Sequence, residues 1–130
     1  MNETLKLAVN GGLMRGFADN KIMRDADASF IEEAATEPIY RLFSIGDRHP
    51  AMLRVTEGGT SIAVEIWAVP VENLGIILTK EPPGLCIGKV PLSSGETVLG
   101  VLGELICCES GKEITEYGGW RNYLKTLNPN

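Results

Sequence analysis

Glycine and proline cut this chain into short pieces. Fifteen glycines and seven prolines among 130 residues leave short apolar runs: "LKLAV" (5–9), "IYRLFSI" (39–45), "SIAVEIWAV" (61–69) and "ETVLGVLGELICC" (96–108). A helical bundle needs longer uninterrupted periods, so frequent turns argue for many short elements. A chain of this length buries roughly two thirds of its unfolded surface in one core. Residues 1–130 are therefore read as a single α+β domain, a small mixed β-barrel or curled sheet with short helices.

The charge balance limits the partners. A formal net charge of −5 without clustered Lys or Arg argues against nucleic acid, whose phosphates need local positive charge. No apolar run spans a bilayer and the first twenty residues lack a signal-peptide pattern, so neither membrane nor export is expected and a cytoplasmic location is. The three cysteines, Cys86, Cys107 and Cys108, are odd in number and lack C-x-x-C spacing. They make neither a disulfide framework nor a zinc site and read as packing residues. Alternation along "GVLGELICCES" sets one of Cys107 and Cys108 inward and the other outward. His49, the one histidine, is read as lying in a polar loop, 46–54. No metal and no cofactor are expected.

Along the chain, "LKLAV" reads as the first strand, ended by Gly11-Gly12. Residues 13–25 read as irregular with at most a short helix. Phe30 to Thr36, with its Glu-Glu-Ala-Ala, favours helix by propensity, yet Pro38 closes it after barely two turns. Gly58-Gly59 between β-rich runs signals a hairpin. Apolar residues at 71, 74, 77 and 78 fit a short helix stopped by Pro82. A Ser-Ser-Gly turn then joins two more strands, and "GGWRNYLKTL" has helical character.

Four places could carry chemistry. Asn10-Gly11-Gly12 is either a plain turn or a nest of backbone N–H groups that holds an anion. Glu65, inside an apolar strand, either has a buried partner or sits on a solvated face. Glu81, between the short helix and Pro82-Pro83, either ends the helix in solvent or is aimed by a rigid loop as a general acid or base. In "EYGGWR" (116–121), Tyr117 and Trp120 with Arg121 either clamp a carboxylate or anchor the last helix.

Taken together and in order, "VNGGLMRG", "YRLF", "IAVEIWAVP", "GLCIGKVPLSSGETVLGVL" and "ITEYGGWRNYL" resemble the C-terminal domain of allophanate hydrolase, from about Leu5 to Leu124. The expected protein is a free-standing version of that domain, without the amidase domain. The resemblance implies a fold similar to the γ-glutamylcyclotransferases, whose loop after the first strand holds substrate on backbone amides. Asn10-Gly11-Gly12 occupies that place, and Glu81 falls where those enzymes carry a catalytic glutamate. It also implies that 28–36 is a strand, against propensity, paired with 39–45.

The implied task is binding of a small carboxylate of urea and allophanate metabolism, with loss of carbon dioxide from N-carboxycarbamate. The alternatives are a γ-glutamylcyclotransferase-type activity, or a non-catalytic oligomerisation module partnering an amidase. Glu81 and Tyr117 are the expected catalytic groups. Asn10, Gly11, Gly12, Leu13, Met14, Arg15, Tyr40, Glu65 and Arg121 are the expected binding residues, with Tyr40 a further hydroxyl proton source. A small carboxylate-bearing substrate, a separate amidase and a second copy of the chain in a homodimer are the expected partners.

Overall fold

A computed structural model describes residues 3–128. Its elements are β1 (Thr4–Val9), α1 (Asn20–Asp25), β2 (Ser29–Ala35), β3 (Tyr40–Ile45), β4 (His49–Arg54), β5 (Ala63–Pro70), α2 (Leu74–Thr79), β6 (Leu85–Pro91), β7 (Thr97–Gly103), α3 (Leu105–Glu109), β8 (Lys112–Glu113) and α4 (Trp120–Leu127). Five strands form one sheet in the order β2-β5-β1-β7-β6, and three form a second in the order β4-β3-β8. The fold is α+β. The large sheet curls, its two edges tied by a Thr36–Leu92 bridge and by Ser93 N–H donating to the Ala35 carbonyl. The strands do not close into a barrel. Among the described residues no helix is long and apolar enough to cross a membrane.

β5 is an interior strand buried on both faces, which explains its nearly continuous apolar run. Val64, Ile66 and Val69 are almost fully buried, as are Leu7 and Val9 of the neighbouring β1. Burying each such side chain stabilises the fold by about 1.5–3 kcal/mol. β1 pairs antiparallel with β5 and parallel with β7. It thus delivers the Asn10-Gly11-Gly12 turn to the end of a rigid layer.

Several expectations are corrected. Segment 29–35 is a strand, but it pairs with β5, through a bulge between Phe30 and Glu32, and not with 40–45. β3 pairs instead with β4 and β8. Residues 49–54 are therefore a strand, and His49 stands in register with Ile45 rather than in a loop. Gly58-Gly59 makes no hairpin, because β4 and β5 belong to different sheets. A Cβ on Gly59 would lie 2.7 Å from the Ile39 carbonyl carbon, so this glycine serves a close crossing of two chain segments. Cys107 and Cys108 lie on α3, with Cys108 the buried one. Of the short helix read around 71–78, only Ile77 is fully buried.

Candidate functional site

The loop after β1 has two faces. Its first half, Asn10 to Leu13, lines a cavity of about 20 Å³ with His49, Pro50 and Glu81, room for about one water. A wider hollow of about 310 Å³, the lower end of small-ligand pockets, shares Gly12, Leu13, His49 and Glu81 with it and adds Asp19 and Arg48. Gly11 is there because it must be: a Cβ would meet Pro50 Cδ at 2.6 Å. Gly12 is not so constrained, its nearest neighbour being Asp19 Oδ2 at 3.5 Å from the Cβ position.

Among the described residues, the backbone N–H groups of Gly11, Gly12 and Leu13 have no acceptor. The next N–H, that of Met14, turns back to the Gly11 carbonyl at 3.0 Å. Neighbouring main-chain donors at a cavity wall suit an anion, since a buried N–H without a partner is costly. The Asn10 side chain is not one of those donors. It is 5% exposed, and its Nδ2 donates to the Val101 carbonyl at 3.0 Å, tying the loop to β7.

Glu81 reaches the same hollow from the other side. The last turn of α2 closes with Glu81 N–H donating to the Leu78 carbonyl, and Pro82-Pro83 forbids further helix. Its carboxyl accepts no hydrogen bond from the described residues. Burial, and secondarily the negative charge of Asp19, raises its pKa from 4.5 to about 7. Such a group exchanges a proton near neutral pH. His49 and Arg48, absent from the sequence-based set, line the hollow because β4 begins there. His49 Nδ1 lies 3.1 Å from the Pro50 carbonyl oxygen. A carbonyl only accepts, so Nδ1 is the donor in this contact.

The second half of the loop turns away from the hollow. Arg15 N–H donates to Glu65 Oε1 at 3.0 Å and Arg15 Nε to Oε2 at 3.2 Å. Trp67 Nε1 donates to Oε1 at 3.1 Å and Arg121 Nη2 to Oε2 at 3.2 Å. Glu65, 2% exposed, therefore has buried partners. A groove of about 270 Å³ runs beside this knot, lined by Met14, Glu33, Glu65, Trp120 and Arg121 among others.

Glu81, Asn10, Gly11, Gly12 and Leu13 thus come together, while Met14, Arg15, Glu65 and Arg121 form a separate cluster. Tyr40 and Tyr117 line neither hollow. Tyr40 is fully buried with its hydroxyl unpartnered among the described residues, and burial raises its pKa. Tyr117 packs on Tyr123 at 5.4 Å between ring centroids, on the side that anchors α4. No group of His, Cys, Asp and Glu among the described residues is arranged to hold a metal ion.

The family model of the allophanate hydrolase C-terminal domain matches residues 5–125. Urea amidolyase of Saccharomyces cerevisiae is 32% identical over 135 residues, covering 95% of this chain and 7% of the yeast protein. The crystal structure of c4763, a uropathogenic E. coli-specific protein, matches with a TM-score of 0.91 at 51% identity, over 93% of this chain and 95% of that one. Kluyveromyces lactis allophanate hydrolase matches with a TM-score of 0.90 at 28% identity, over 97% of this chain and 22% of that one. A γ-glutamyl cyclotransferase, at 12% identity and a TM-score of 0.56 over 85% of this chain and 70% of that one, shares the fold. The chain spans only a small part of the curated urea amidolyases it matches. A match over nearly every element described above, β1 through α4, makes this chain a member of the allophanate hydrolase C-terminal domain family.

Proposed function

We propose that the domain binds a small dicarboxylate of urea and allophanate metabolism over Gly11–Leu13 and assists loss of carbon dioxide from N-carboxycarbamate. One observation carries the reading: a carboxyl with a pKa of about 7 lines the same small cavity as Gly11, Gly12 and Leu13, whose backbone N–H groups have no acceptor among the described residues. N-carboxycarbamate bears two carboxylates on one nitrogen. Loss of carbon dioxide breaks one C–N bond and leaves its electron pair on nitrogen, which must take up a proton. Protonated Glu81 delivers that proton, carbamate remains, and Glu81 regains a proton from water. The backbone N–H groups, with Arg48 at the rim, hold the carboxylate that stays. The departing carboxylate loses its charge as it leaves, a step favoured against the apolar wall of Leu13, Pro50 and Leu85.

The test supplies allophanate and a separate amidase, then measures carbon dioxide release with and without this chain. The reading expects acceleration by the wild type and none by Glu81→Gln. No acceleration by the wild type overturns it, and formation of 5-oxoproline from a γ-glutamyl amine would assign the hollow to cyclotransfer instead. Cooperation with an amidase and self-association as a homodimer belong to the same proposal. Sedimentation of the chain alone and with the amidase checks both.

A further inference from the structure

We infer that Glu65 is the positioning residue of the Asn10–Met14 loop, the group that sets where the free N–H donors of Gly11 to Leu13 point. The inference rests on reading those donors as the ligand floor. The loop starts beside Glu65 and is fastened to its carboxylate where it ends. Where the loop leaves β1, Val9 stands in register with Glu65 on β5. Where it returns, Arg15 donates its backbone N–H to Oε1 and its Nε to Oε2 of the same carboxylate. Arg121 completes the clamp, its Nη2 donating to Glu65 Oε2 at 3.2 Å and to the Arg15 carbonyl at 3.0 Å. Arg15 is therefore held at its amide, its carbonyl and its side chain.

The surroundings fix the two guanidinium groups. Arg15 lies 3.6 Å from the Phe30 ring centroid, and Arg121 4.9 Å from that of Phe17. Glu33 accepts from Arg15 Nη2 at 3.0 Å. The arrangement needs an acceptor at both oxygens, since Oε1 takes the Arg15 and Trp67 N–H groups while Oε2 takes the two guanidiniums. Glutamine at this position turns one oxygen into an NH₂ facing other donors. Glu65, Arg15 and Arg121, expected from sequence to be binding residues, touch one another and hold the backbone that leads to the Gly11–Leu13 donors.

The experiment records backbone ¹⁵N order parameters and malonate binding for the wild type, Glu65→Gln, Arg121→Gln and Leu42→Ala. Malonate serves as a stable dicarboxylate with the spacing of N-carboxycarbamate. The wild type is expected to show Gly12 and Leu13 rigid at about 0.85, and Glu65→Gln to drop them below about 0.6. Malonate affinity in that variant is expected to fall about tenfold or more, and in Arg121→Gln about threefold. Leu42→Ala creates a cavity in the core of the smaller sheet. It is expected to lower the melting temperature while leaving both loop readouts at wild-type values, which separates positioning from general destabilisation. A folded Glu65→Gln with wild-type order parameters and affinity overturns the inference. If Glu65→Gln does not fold, an unchanged loop in Arg121→Gln overturns it. If the wild type binds no malonate yet the loop loosens in either variant, the clamp stands and the ligand reading falls.

Discussion

Glu65, inside an apolar strand, and Glu81, between a short helix and Pro82-Pro83, are both single carboxyls, and the fold treats them in opposite ways. Glu65 is 2% exposed and accepts four hydrogen bonds from Arg15, Arg121 and Trp67. Glu81 is half-buried, accepts none among the described residues, and has its pKa pushed up to about 7. Burial with donors makes a carboxylate part of the scaffold; burial without them makes it a proton-exchanging group. The backbone repeats the contrast, with Arg15 N–H engaged at 3.0 Å and those of Gly11, Gly12 and Leu13 without an acceptor among the described residues.

The largest expected effect lies on the scaffold side. Replacing Glu65 by Ala leaves two guanidiniums and the Trp67 Nε1 without their acceptor. Urea denaturation at pH 7 should report a loss of about 3–5 kcal/mol. A loss below about 1 kcal/mol would mean that the knot is merely a surface ion pair.

Glu81→Gln should act in the other direction, and only at higher pH. A folded-state pKa above the unfolded one stabilises the native state below pH 4.5, and that advantage is lost as pH rises to about 7. Above pH 7 the wild type therefore carries a penalty of up to about 3 kcal/mol, which glutamine removes. The variant should unfold at higher urea than the wild type at pH 8 and show no gain at pH 4. Identical pH profiles would contradict the contrast.

The two glycines sharpen it further. Gly11→Ala forces a Cβ to within 2.6 Å of Pro50, and thermal melts should show a loss of about 1–3 kcal/mol from overpacking. Gly12→Ala has ordinary clearance from Asp19 and should stay within about 0.5 kcal/mol of the wild type. The smallest expected effect is that of Asp19→Asn, which removes the lesser cause of the Glu81 shift. A carboxyl NMR titration should find the Glu81 pKa lowered but still above 4.5, because burial, the larger cause, remains.

How much of this was legible depended on the range of the forces involved. The turn after β1, the short helix before Glu81 and the α4 segment follow from local glycine, proline and apolar spacing. The resemblance added the strand at 29–35, where Glu32 and Glu33 are exposed on an edge strand and pairing with β5 overrides helix propensity. Its partner was misread, because strand pairing is decided by contacts remote in sequence. For the same reason Gly58-Gly59 suggested a hairpin where the chain passes between two sheets. His49 and Arg48 were missed because Pro50 hid a short edge strand that carries them to the hollow. Glu65, Arg15 and Arg121 were each recognised from sequence, but not as partners, because residues 15, 65 and 121 are brought together only by contacts remote in sequence.

The most direct test is the titration of the Glu81 carboxyl by NMR, with and without malonate. The account predicts a pKa of about 7 in the free protein, moving higher as a dianion settles on the Gly11–Leu13 N–H groups beside it. A pKa in the ordinary glutamate range, unmoved by malonate, would contradict it.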